Sequence, residues 1–374
     1  MIRTSVLVVG GGPAGATAAR FLADAGIDTI VAERDFSYIK PCGGGIPSGA
    51  IREFDLPEEI IRKKIDKIAI ISPGNRRIEI SLKGGHICIT ERGALDATLR
   101  SIASGKGAAV IEGEFCGYER YNGSYLSLVR KKNAEMLKIR SDYIIASDGI
   151  TFSVGRKCGM QRPAFLYTIS SHIQPFNSDT CEFWFGTAHA SNFYSWVFPS
   201  DGTASVGTGS RNQMQLYPLL NKFLQRRFNF MIGDNQDKCS LDRPRVFPIP
   251  AWRGKPEALG NILFLGDAAA SVMPVTYEGI YYAMKSGQLA ALAVSQGKAN
   301  LYPKLWEDRF GRRFSVMNNF RDRFFRSDES IERWVSIHKS PAVQDIAMRL
   351  WLQKEPGSHR LVEYLKAFGS LAFP

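Results

Sequence analysis

The sequence lacks a long apolar run and any paired set of metal ligands. No uninterrupted apolar stretch reaches the roughly eighteen residues of a transmembrane helix, and the N-terminus has no signal-peptide pattern. The six cysteines are scattered without a Cys-x-x-Cys pair, and the five histidines are dispersed. These absences argue against a zinc site, an iron–sulfur cluster and a disulfide framework. We therefore expect a cytoplasmic protein without a metal ion.

The chain also has fewer acidic than basic residues. It has 48 Lys and Arg against 36 Asp and Glu, a net charge of +12. Residues 304–326 hold seven of the basic residues against three acidic ones, with aromatic residues between them. A solvated helix face is one interpretation, and peripheral contact with an anionic surface at the inner face of the membrane is another. Nucleic acid is not expected as a partner, because no recognition motif accompanies the charge.

A glycine-rich turn is the most informative pattern present. It follows the apolar run 5–9, precedes the helix-like stretch 14–25, and has a carboxylate eighteen residues further on, after a second strand-like run. This spacing is typical of a dinucleotide-binding turn, in which glycines let the backbone approach a pyrophosphate at a helix N-terminus. The predicted cofactor-binding residues here are Gly10, Gly12, Pro13, Ala14, Gly15, Glu33 and Arg34. By themselves they suit NAD as well as FAD.

Three further positions are weak individually. Arg92 begins a helix-like stretch after a strand, Asp148-Gly149 follows another strand, and Gly266-Asp267 follows the short apolar run 262–265. An aspartate and a helix N-terminus delivered together by a buried strand can bind a ribitol hydroxyl and a second phosphate. Together with the glycine turn, in this order and spacing, they resemble the flavoproteins that share the fold of para-hydroxybenzoate hydroxylase. That resemblance implies FAD.

The resemblance also implies an α/β architecture. We expect a Rossmann-type FAD-binding domain, an inserted antiparallel-sheet substrate domain and a C-terminal helical region. The predicted FAD-binding domain is discontinuous and comprises 1–50, 88–164 and 255–300. The predicted substrate domain comprises 51–87 and 165–254, and the helical region is 301–374.

Several segments resemble the geranylgeranyl reductases more narrowly, especially their chlorophyll and bacteriochlorophyll branch. The segments that carry this resemblance are 40–47, 53–57, 71–73, 193–199, 206–209, 278–280 and 324–327. The resemblance implies reduction of double bonds in a geranylgeranyl chain carried by a lipid, a pigment or a diphosphate. NAD(P)H or a ferredoxin-type donor would reload the flavin. The chain departs from the family at Phe152, where a serine is usual, and in the loop 273–277.

The implied site adds residues from these segments. Tyr194, Trp196 and Phe198 alternate in a strand-like segment and so share one face, either as plain core packing or as the wall of a prenyl tunnel beside the flavin. Cys42 is a proton donor, a redox gate or a small buried residue in these interpretations. The predicted catalytic residues are Cys42, Tyr194, Trp196 and Tyr277. The cofactor-binding set is completed by Cys42, Gly43, Arg92, Asp148, Gly266, Asp267, Gly279 and Ile280.

Two other functions use the same features. An FAD-dependent monooxygenase or halogenase would combine reduced flavin with oxygen on this scaffold. A non-catalytic flavin carrier or prenyl-lipid binding protein is the third interpretation. The prenyl substrate, the number of bonds reduced and the oligomeric state are open at the level of the sequence.

Overall fold

A computed structural model describes residues 1–234 and 239–354. Within these residues the chain forms nineteen strands and ten α-helices. The strands are β1 (Ile2–Val9), β2 (Thr29–Glu33), β3 (Gly45–Pro47), β4 (Ile61–Ile65), β5 (Lys67–Ile71), β6 (Arg77–Ser81), β7 (Ile87–Thr90), β8 (Ala109–Glu112), β9 (Glu114–Tyr121), β10 (Ser124–Arg130), β11 (Met136–Ala146), β12 (Phe165–Gln174), β13 (Thr180–Trp184), β14 (Ser195–Pro199), β15 (Ala204–Ser210), β16 (Ser240–Leu241), β17 (Arg245–Pro250), β18 (Ala258–Leu259) and β19 (Ile262–Phe264). The helices are α1 (Pro13–Asp24), α2 (Ser48–Glu53), α3 (Arg92–Gly105), α4 (Ser153–Lys157), α5 (Leu216–Phe228), α6 (Ile280–Ser295), α7 (Leu301–Trp306), α8 (Arg312–Phe324), α9 (Asp328–Ile337) and α10 (Pro341–Trp351).

The first of two compact units is built on a parallel sheet. It comprises Met1–Ile39, Gly93–Phe165 and Ile249–Ser315. Its parallel strands lie in the order β8-β2-β1-β11-β19, and the antiparallel strands β9, β10 and β18 extend the sheet. Numbered along the chain, the parallel strands have the order 3-2-1-4-5, which is that of the Rossmann fold. The predicted Rossmann-type architecture is confirmed.

The strand order reverses between β1 and β11. This reversal predicts that ligands bind at the carboxyl ends of these two strands. Chains that wind outward in both directions from such a point leave a crevice at the carboxyl ends of the strands. At this edge Gly10 follows β1 and Ser147 follows β11. Helices α1 and α6 pack closely beside it, because a Cβ on Gly287 would lie only 2.4 Å from the Ala14 carbonyl oxygen.

Within the described residues, the second compact unit comprises Lys40–Arg92, Leu166–Pro248 and 316–354. Its large sheet has the order β16-β12-β15-β14-β13-β5-β6, with β17 paired to β12. The described pairings are antiparallel except that between β5 and β13, which is parallel. One face of the sheet packs against α5 through a hydrophobic core. A separate small sheet has the order β3-β7-β4.

The compact units divide the chain differently from the predicted domains. Residues 40–50 and 88–92 belong with the second unit, because β3 and β7 pair with each other and β4 completes their sheet. Residues 301–315 belong with the first unit. The chain from 301 to 354 is helical, as expected. The described residues include no helix that is both long enough and apolar enough to cross a bilayer.

Candidate functional site

The glycine turn in the first unit is set by close backbone approach. Gly10 has a φ of +98°, and a Cβ there would lie 2.4 Å from the Ser147 carbonyl oxygen. A Cβ on Gly15 would lie 1.9 Å from the Gly10 carbonyl oxygen and 2.4 Å from the Ser147 hydroxyl. Real atoms do not approach so closely, so β1, α1 and β11 can meet only if both positions lack a side chain.

The N-terminus of α1 has the features of an anion-binding site. Gly12 is the N-cap residue and supplies no side-chain hydrogen bond, and Pro13 occupies the first turn. No acidic residue lies in this turn. The first N–H groups of the helix, and the positive end of its dipole, therefore lack the side-chain partner that most helices have. A pyrophosphate is the kind of group that satisfies them.

Glu33 is held beside this turn at the end of β2. Its Oε2 accepts a hydrogen bond from the Gly11 N–H at 2.7 Å, and its Oε1 accepts one from the Asp35 N–H at 3.2 Å. These bonds fix the carboxylate orientation and leave lone pairs for the hydroxyl groups of a ribose. The adjacent Arg34 is exposed.

Sequence reasoning missed Arg100, which also reaches the turn. Its Nη1 lies 3.5 Å from the Gly11 carbonyl oxygen, and its guanidinium lies 5.1 Å from the centre of the Phe36 ring. A Cβ on Gly11 would come within 3.0 Å of the Arg100 side chain. The position belongs to no short motif, and only the packing of α3 beside the sheet brings this cation to the turn.

Asp148 lies on the same edge, directly after β11. Its Oδ2 accepts hydrogen bonds from the Ser153 hydroxyl at 2.5 Å and the Val154 N–H at 3.0 Å, so it caps α4. Its Oδ1 is buried and has no hydrogen-bond partner within the described parts of the chain. Burial raises the pKa of this carboxyl, and the hydrogen bonds from Ser153 and Val154 only partly oppose the effect. Phe152 stands at the family's serine position, and the neighbouring Ser153 makes the bond to Asp148.

The turn after β19 completes the edge. Gly266 has a φ of +55°, and a Cβ there would lie 3.0 Å from the Ala14 Cβ, so this turn touches the start of α1. The Asp267 Oδ1 lies 3.9 Å from where a Cβ on Gly279 would stand. Gly279 is the N-cap residue of α6 and Ile280 its first residue. The two turns therefore bring two helix N-termini to one edge of the sheet.

Tyr277 lies in a tight loop before α6. Its N–H donates to the Met273 carbonyl oxygen at 3.0 Å, and the Met273 N–H donates to the Glu278 carbonyl oxygen at 3.0 Å. Tyr277 has a φ of +52° and Val275 a φ of +75°, which is costly for residues with side chains. The loop that departs from the family pattern is thus closed by its own backbone.

These features fit FAD at the edge of the first unit. The glycines leave a cradle that a Cβ would fill, an uncapped helix offers N–H donors, and the buried Asp148 oxygen needs a donor. Arg92 is half-buried at the first position of α3, where the two units meet along the chain.

Aromatic side chains form a separate group in the second unit. The ring centre of Trp196 lies 6.3 Å from that of Tyr194 and 6.5 Å from that of Phe198. The ring centre of Phe183 lies 5.3 Å from that of Tyr194 and 5.1 Å from that of Phe198. Trp351 of α10, a position that no sequence pattern indicated, lies 6.1 Å from Phe183. Trp196 is buried, whereas Phe183, Tyr194, Phe198 and Trp351 are half-buried. The group therefore presents an accessible aromatic surface, which we call the aromatic wall.

Glycines facing the rings make this arrangement possible. Gly207 pairs with Trp196 across the sheet, and a Cβ on it would lie 2.3 Å from the indole ring. A Cβ on Gly43 would lie 2.7 Å from the Phe198 ring and 3.5 Å from the Trp196 Nε1. The Trp196 Nε1–H donates to the Ser205 hydroxyl at 3.1 Å, which fixes the orientation of the indole.

The contact of Gly43 also places Cys42. The Cys42 side chain is half-buried, and its Sγ accepts the Gly44 N–H at 3.4 Å. The structure therefore brings Cys42, Gly43, Tyr194 and Trp196 into one region of the second unit. The other predicted residues, including Tyr277, lie in the first unit, apart from Arg92 at the boundary.

Comparison with known proteins agrees with this geometry. The model of the FAD binding domain family matches residues 3–294. A chloroplastic geranylgeranyl diphosphate reductase of Oryza sativa is 31% identical over 95% of this chain and 83% of its own length. A digeranylgeranylglycerophospholipid reductase of Thermoplasma acidophilum is 27% identical over 93% of this chain and 94% of its own. The crystal structure of a geranylgeranyl bacteriochlorophyll reductase-like protein from Thermoplasma acidophilum superposes with a TM-score of 0.83 at 25% identity, covering 99% of this chain and 97% of that one.

Proposed function

This chain belongs to the geranylgeranyl reductase family of FAD-binding flavoproteins, and on that basis we propose that it reduces carbon–carbon double bonds of a prenyl chain. It is an FAD-dependent oxidoreductase. The proposed substrate is a geranylgeranyl chain carried by a lipid, a pigment or a diphosphate. The proposed electron donor to the flavin is NAD(P)H or a ferredoxin-type protein.

The observation that carries the proposal is the aromatic wall beside the Cys42–Gly43 turn. A prenyl chain offers no polar group along its length, so it must be recognised by apolar and aromatic contacts. An isolated double bond has no carbonyl to polarise, and its reduction develops positive charge on carbon. Ring faces such as those of Tyr194, Trp196 and Phe198 stabilise that charge. An ordinary core would bury all of these rings, whereas two of the three remain half-exposed.

Bound FAD, when reduced, supplies the hydride. In this proposal Gly10, Gly12, Pro13, Ala14 and Gly15 receive the pyrophosphate at the N-terminus of α1. Glu33 and Asp148 would accept hydrogen bonds from hydroxyl or N–H groups, Arg34 would donate hydrogen bonds to an oxygen atom, and Arg92 would bind a negative charge. Gly266, Asp267, Gly279 and Ile280 would bind at the N-terminus of α6, and Cys42 and Gly43 stay proposed cofactor-binding residues of the second unit.

Cys42 is the proposed proton source for the second carbon of the double bond. Its Sγ accepts the Gly44 N–H, and within residues 1–234 and 239–354 its thiol hydrogen is donated to no acceptor. Tyr194 and Tyr277 each carry a hydroxyl and stand as further proposed catalytic residues. Tyr194 contributes to the aromatic wall, and Tyr277 belongs to the strained loop before α6.

The test is a single-turnover reaction without oxygen. The yellow protein is reduced with dithionite and mixed with geranylgeranyl diphosphate or a geranylgeranylated lipid. We expect flavin reoxidation together with a product that has gained one H₂ for each bond reduced, measured by mass spectrometry. Cys42→Ser should keep bound flavin but slow this step about a hundredfold, as loss of a proton donor does. Cys116→Ser, at an exposed cysteine of the first unit, is the matched control and should react normally.

Other outcomes would redirect the assignment. Substrate-driven oxygen consumption without saturated product would replace the reductase by a monooxygenase or halogenase. Prenyl-lipid binding with no product from any reduced donor would favour a non-catalytic carrier. Protein that cannot be reconstituted with FAD would contradict the cofactor assignment itself.

A further inference from the structure

The basic segment 304–326 exposes charged side chains to its surroundings but no aromatic side chain. Its cations are largely exposed, whereas every aromatic side chain in it is buried in the protein. The buried side chains are Trp306, Phe310, Phe314, Phe320, Phe324 and Phe325. A surface that binds a bilayer through charge alone is weakly held, and stable attachment needs inserted apolar groups as well. Any such groups must come from elsewhere on the surface.

The most exposed large apolar side chain of the described residues is Met214, with 86% of its surface accessible. It lies in the turn that leads into α5, and Tyr217, three residues on, is 47% exposed. The turn is ordered, because the Asn212 side chain accepts the Met214 N–H at 3.0 Å. The opposite face of α5, including Leu216 and Leu220, lies in the apolar core. Met214 and Tyr217 are therefore held outward by a well-packed helix.

Arginines lie next to this turn within the second unit. The Arg211 Nη2 contacts the Asp322 Oδ1 at 3.1 Å, which joins the turn to the end of α8. The Arg321 Nε contacts the same carboxylate oxygen at 3.1 Å. The hydrogen bond and charge of Arg321, together with the charge of Arg211, lower the pKa of Asp322. One carboxylate is thus shared by two arginines, and the exposed Arg323 and Arg326 follow it.

We propose that Arg211, Met214, Tyr217, Arg323 and Arg326 form a docking surface for an anionic lipid bilayer. Met214 and Tyr217 would enter the interfacial region, where a long flexible side chain and a ring with a polar tip are favoured. The arginines would contact lipid phosphates, each adding attraction that falls within a Debye length. Two apolar side chains and a few cations are too small a patch for a stable protein interface, which buries more than about 1,000 Å² in total. The same set is sufficient for reversible attachment to a membrane.

The inference does not depend on the reductase activity, since its test measures binding. The full-length flavoprotein is mixed with vesicles of phosphatidylcholine, or of phosphatidylcholine with phosphatidylglycerol, and sedimented. We expect binding to the anionic vesicles that weakens as salt is raised, and little binding to the neutral ones. The double variant Met214→Ser and Tyr217→Ser should weaken partitioning about tenfold, and it keeps the backbone N–H that Asn212 caps. Arg323→Gln with Arg326→Gln should flatten the salt dependence.

A matched control is Leu292→Ser, which removes an apolar side chain 44% exposed on α6 of the first unit. It should bind vesicles as the wild type does. The proposal is overturned if the wild type ignores anionic vesicles, or if Leu292→Ser weakens binding as much as the double variant. It is also overturned if the double variant instead abolishes a concentration-dependent dimer seen by analytical ultracentrifugation. Unchanged reduction of a short, water-soluble prenyl substrate by the double variant would show that docking and turnover are separate properties.

Discussion

The two compact units build their sites from opposite materials. In the first unit the predicted cofactor site consists of backbone: glycines that remove side chains, a helix N-terminus without a cap, and a carboxylate fixed by N–H groups. In the second unit the aromatic wall consists of large side chains, and glycines make room for the rings. Backbone geometry admits almost no substitution. Ring packing allows one partner to compensate for another.

The largest effect should come from adding one carbon to the backbone site. Gly15→Ala places a Cβ 1.9 Å from the Gly10 carbonyl oxygen, and no side-chain movement can relieve a backbone clash. We expect the variant to lose at least about 4 kcal/mol of unfolding free energy and to purify without flavin. Gly105→Ala is the matched control, since nothing lies within 4 Å of its added Cβ and it sits in a helix. A yellow, stable Gly15→Ala protein would contradict the close approach of β1 and α1.

The next largest effect should be a difference between the two units in how their stability depends on pH. His189 and His338 are buried in the second unit, and burial is the main cause that lowers the pKa of each from 6.5 to about 4. Between pH 6.5 and about 4, these histidines bind protons in the unfolded chain but not in the folded one. The free energy of unfolding therefore falls as the pH falls through this range. A shift from 6.5 to about 4 corresponds to about 3 kcal/mol for each histidine. Asp148 in the first unit has a raised pKa, so its protonation acts in the opposite direction.

Hydrogen exchange read peptide by peptide between pH 7 and 4 measures this difference. The second unit should lose protection first as the pH falls. His189→Gln should reduce the pH dependence of that unit, whatever its effect on stability at neutral pH. The exposed His172→Gln should leave the dependence unchanged. Equal loss of protection in both units, or an unchanged slope in His189→Gln, would show that the buried histidine does not set the acid response.

A smaller loss of stability, which a second substitution should partly restore, is expected where the Cys42–Gly43 turn contacts the aromatic wall. Gly43→Ala places a Cβ 2.7 Å from the Phe198 ring, and we expect a loss of about 2 kcal/mol with a raised KM for the prenyl substrate. Adding Phe198→Leu should recover part of both, because the obstacle is a side chain. Thermal unfolding and steady-state kinetics on the single and double variants measure the coupling. Strictly additive losses would mean that the two residues do not share this space.

The smallest effect should follow from loss of one hydrogen bond. Ser205→Ala leaves the buried Trp196 N–H without its acceptor at 3.1 Å, which should cost about 1 kcal/mol. In a Trp196→Phe background the same substitution should cost clearly less, because the donor is gone. Urea unfolding of the four proteins gives the coupling energy. A Ser205→Ala cost that is independent of residue 196 would assign the effect to Ser205 alone.

Much of the first unit could be predicted from the sequence because its signals are local. The glycine turn, Glu33 and the turn at Gly266 each lie next to a strand whose apolar residues are visible in the sequence. The specific roles of the cofactor-binding and catalytic residues stay predictions.

The features that sequence reasoning missed depend on contacts between distant segments. Arg100 reaches Gly11 across eighty-nine positions of the chain, and Trp351 reaches Phe183 across a longer separation. The grouping of 40–50 with the second unit follows from the small sheet in which β7 pairs with both β3 and β4, which no local pattern shows. The burial of the aromatic residues in 304–326 likewise depends on neighbouring elements that cover them, so the sequence pattern does not show it.

The sequence by itself determined that this chain carries a dinucleotide-binding glycine turn after an apolar strand, because glycine spacing and strand periodicity are properties of consecutive residues. The aromatic alternation at 194–198 was readable for the same reason. Only the tertiary structure decided which face those rings share with Gly43 and Gly207, which apolar side chains stay exposed, and which cation meets the glycine turn. Those outcomes depend on how separate elements pack, and packing is fixed by shape and volume between residues far apart in sequence.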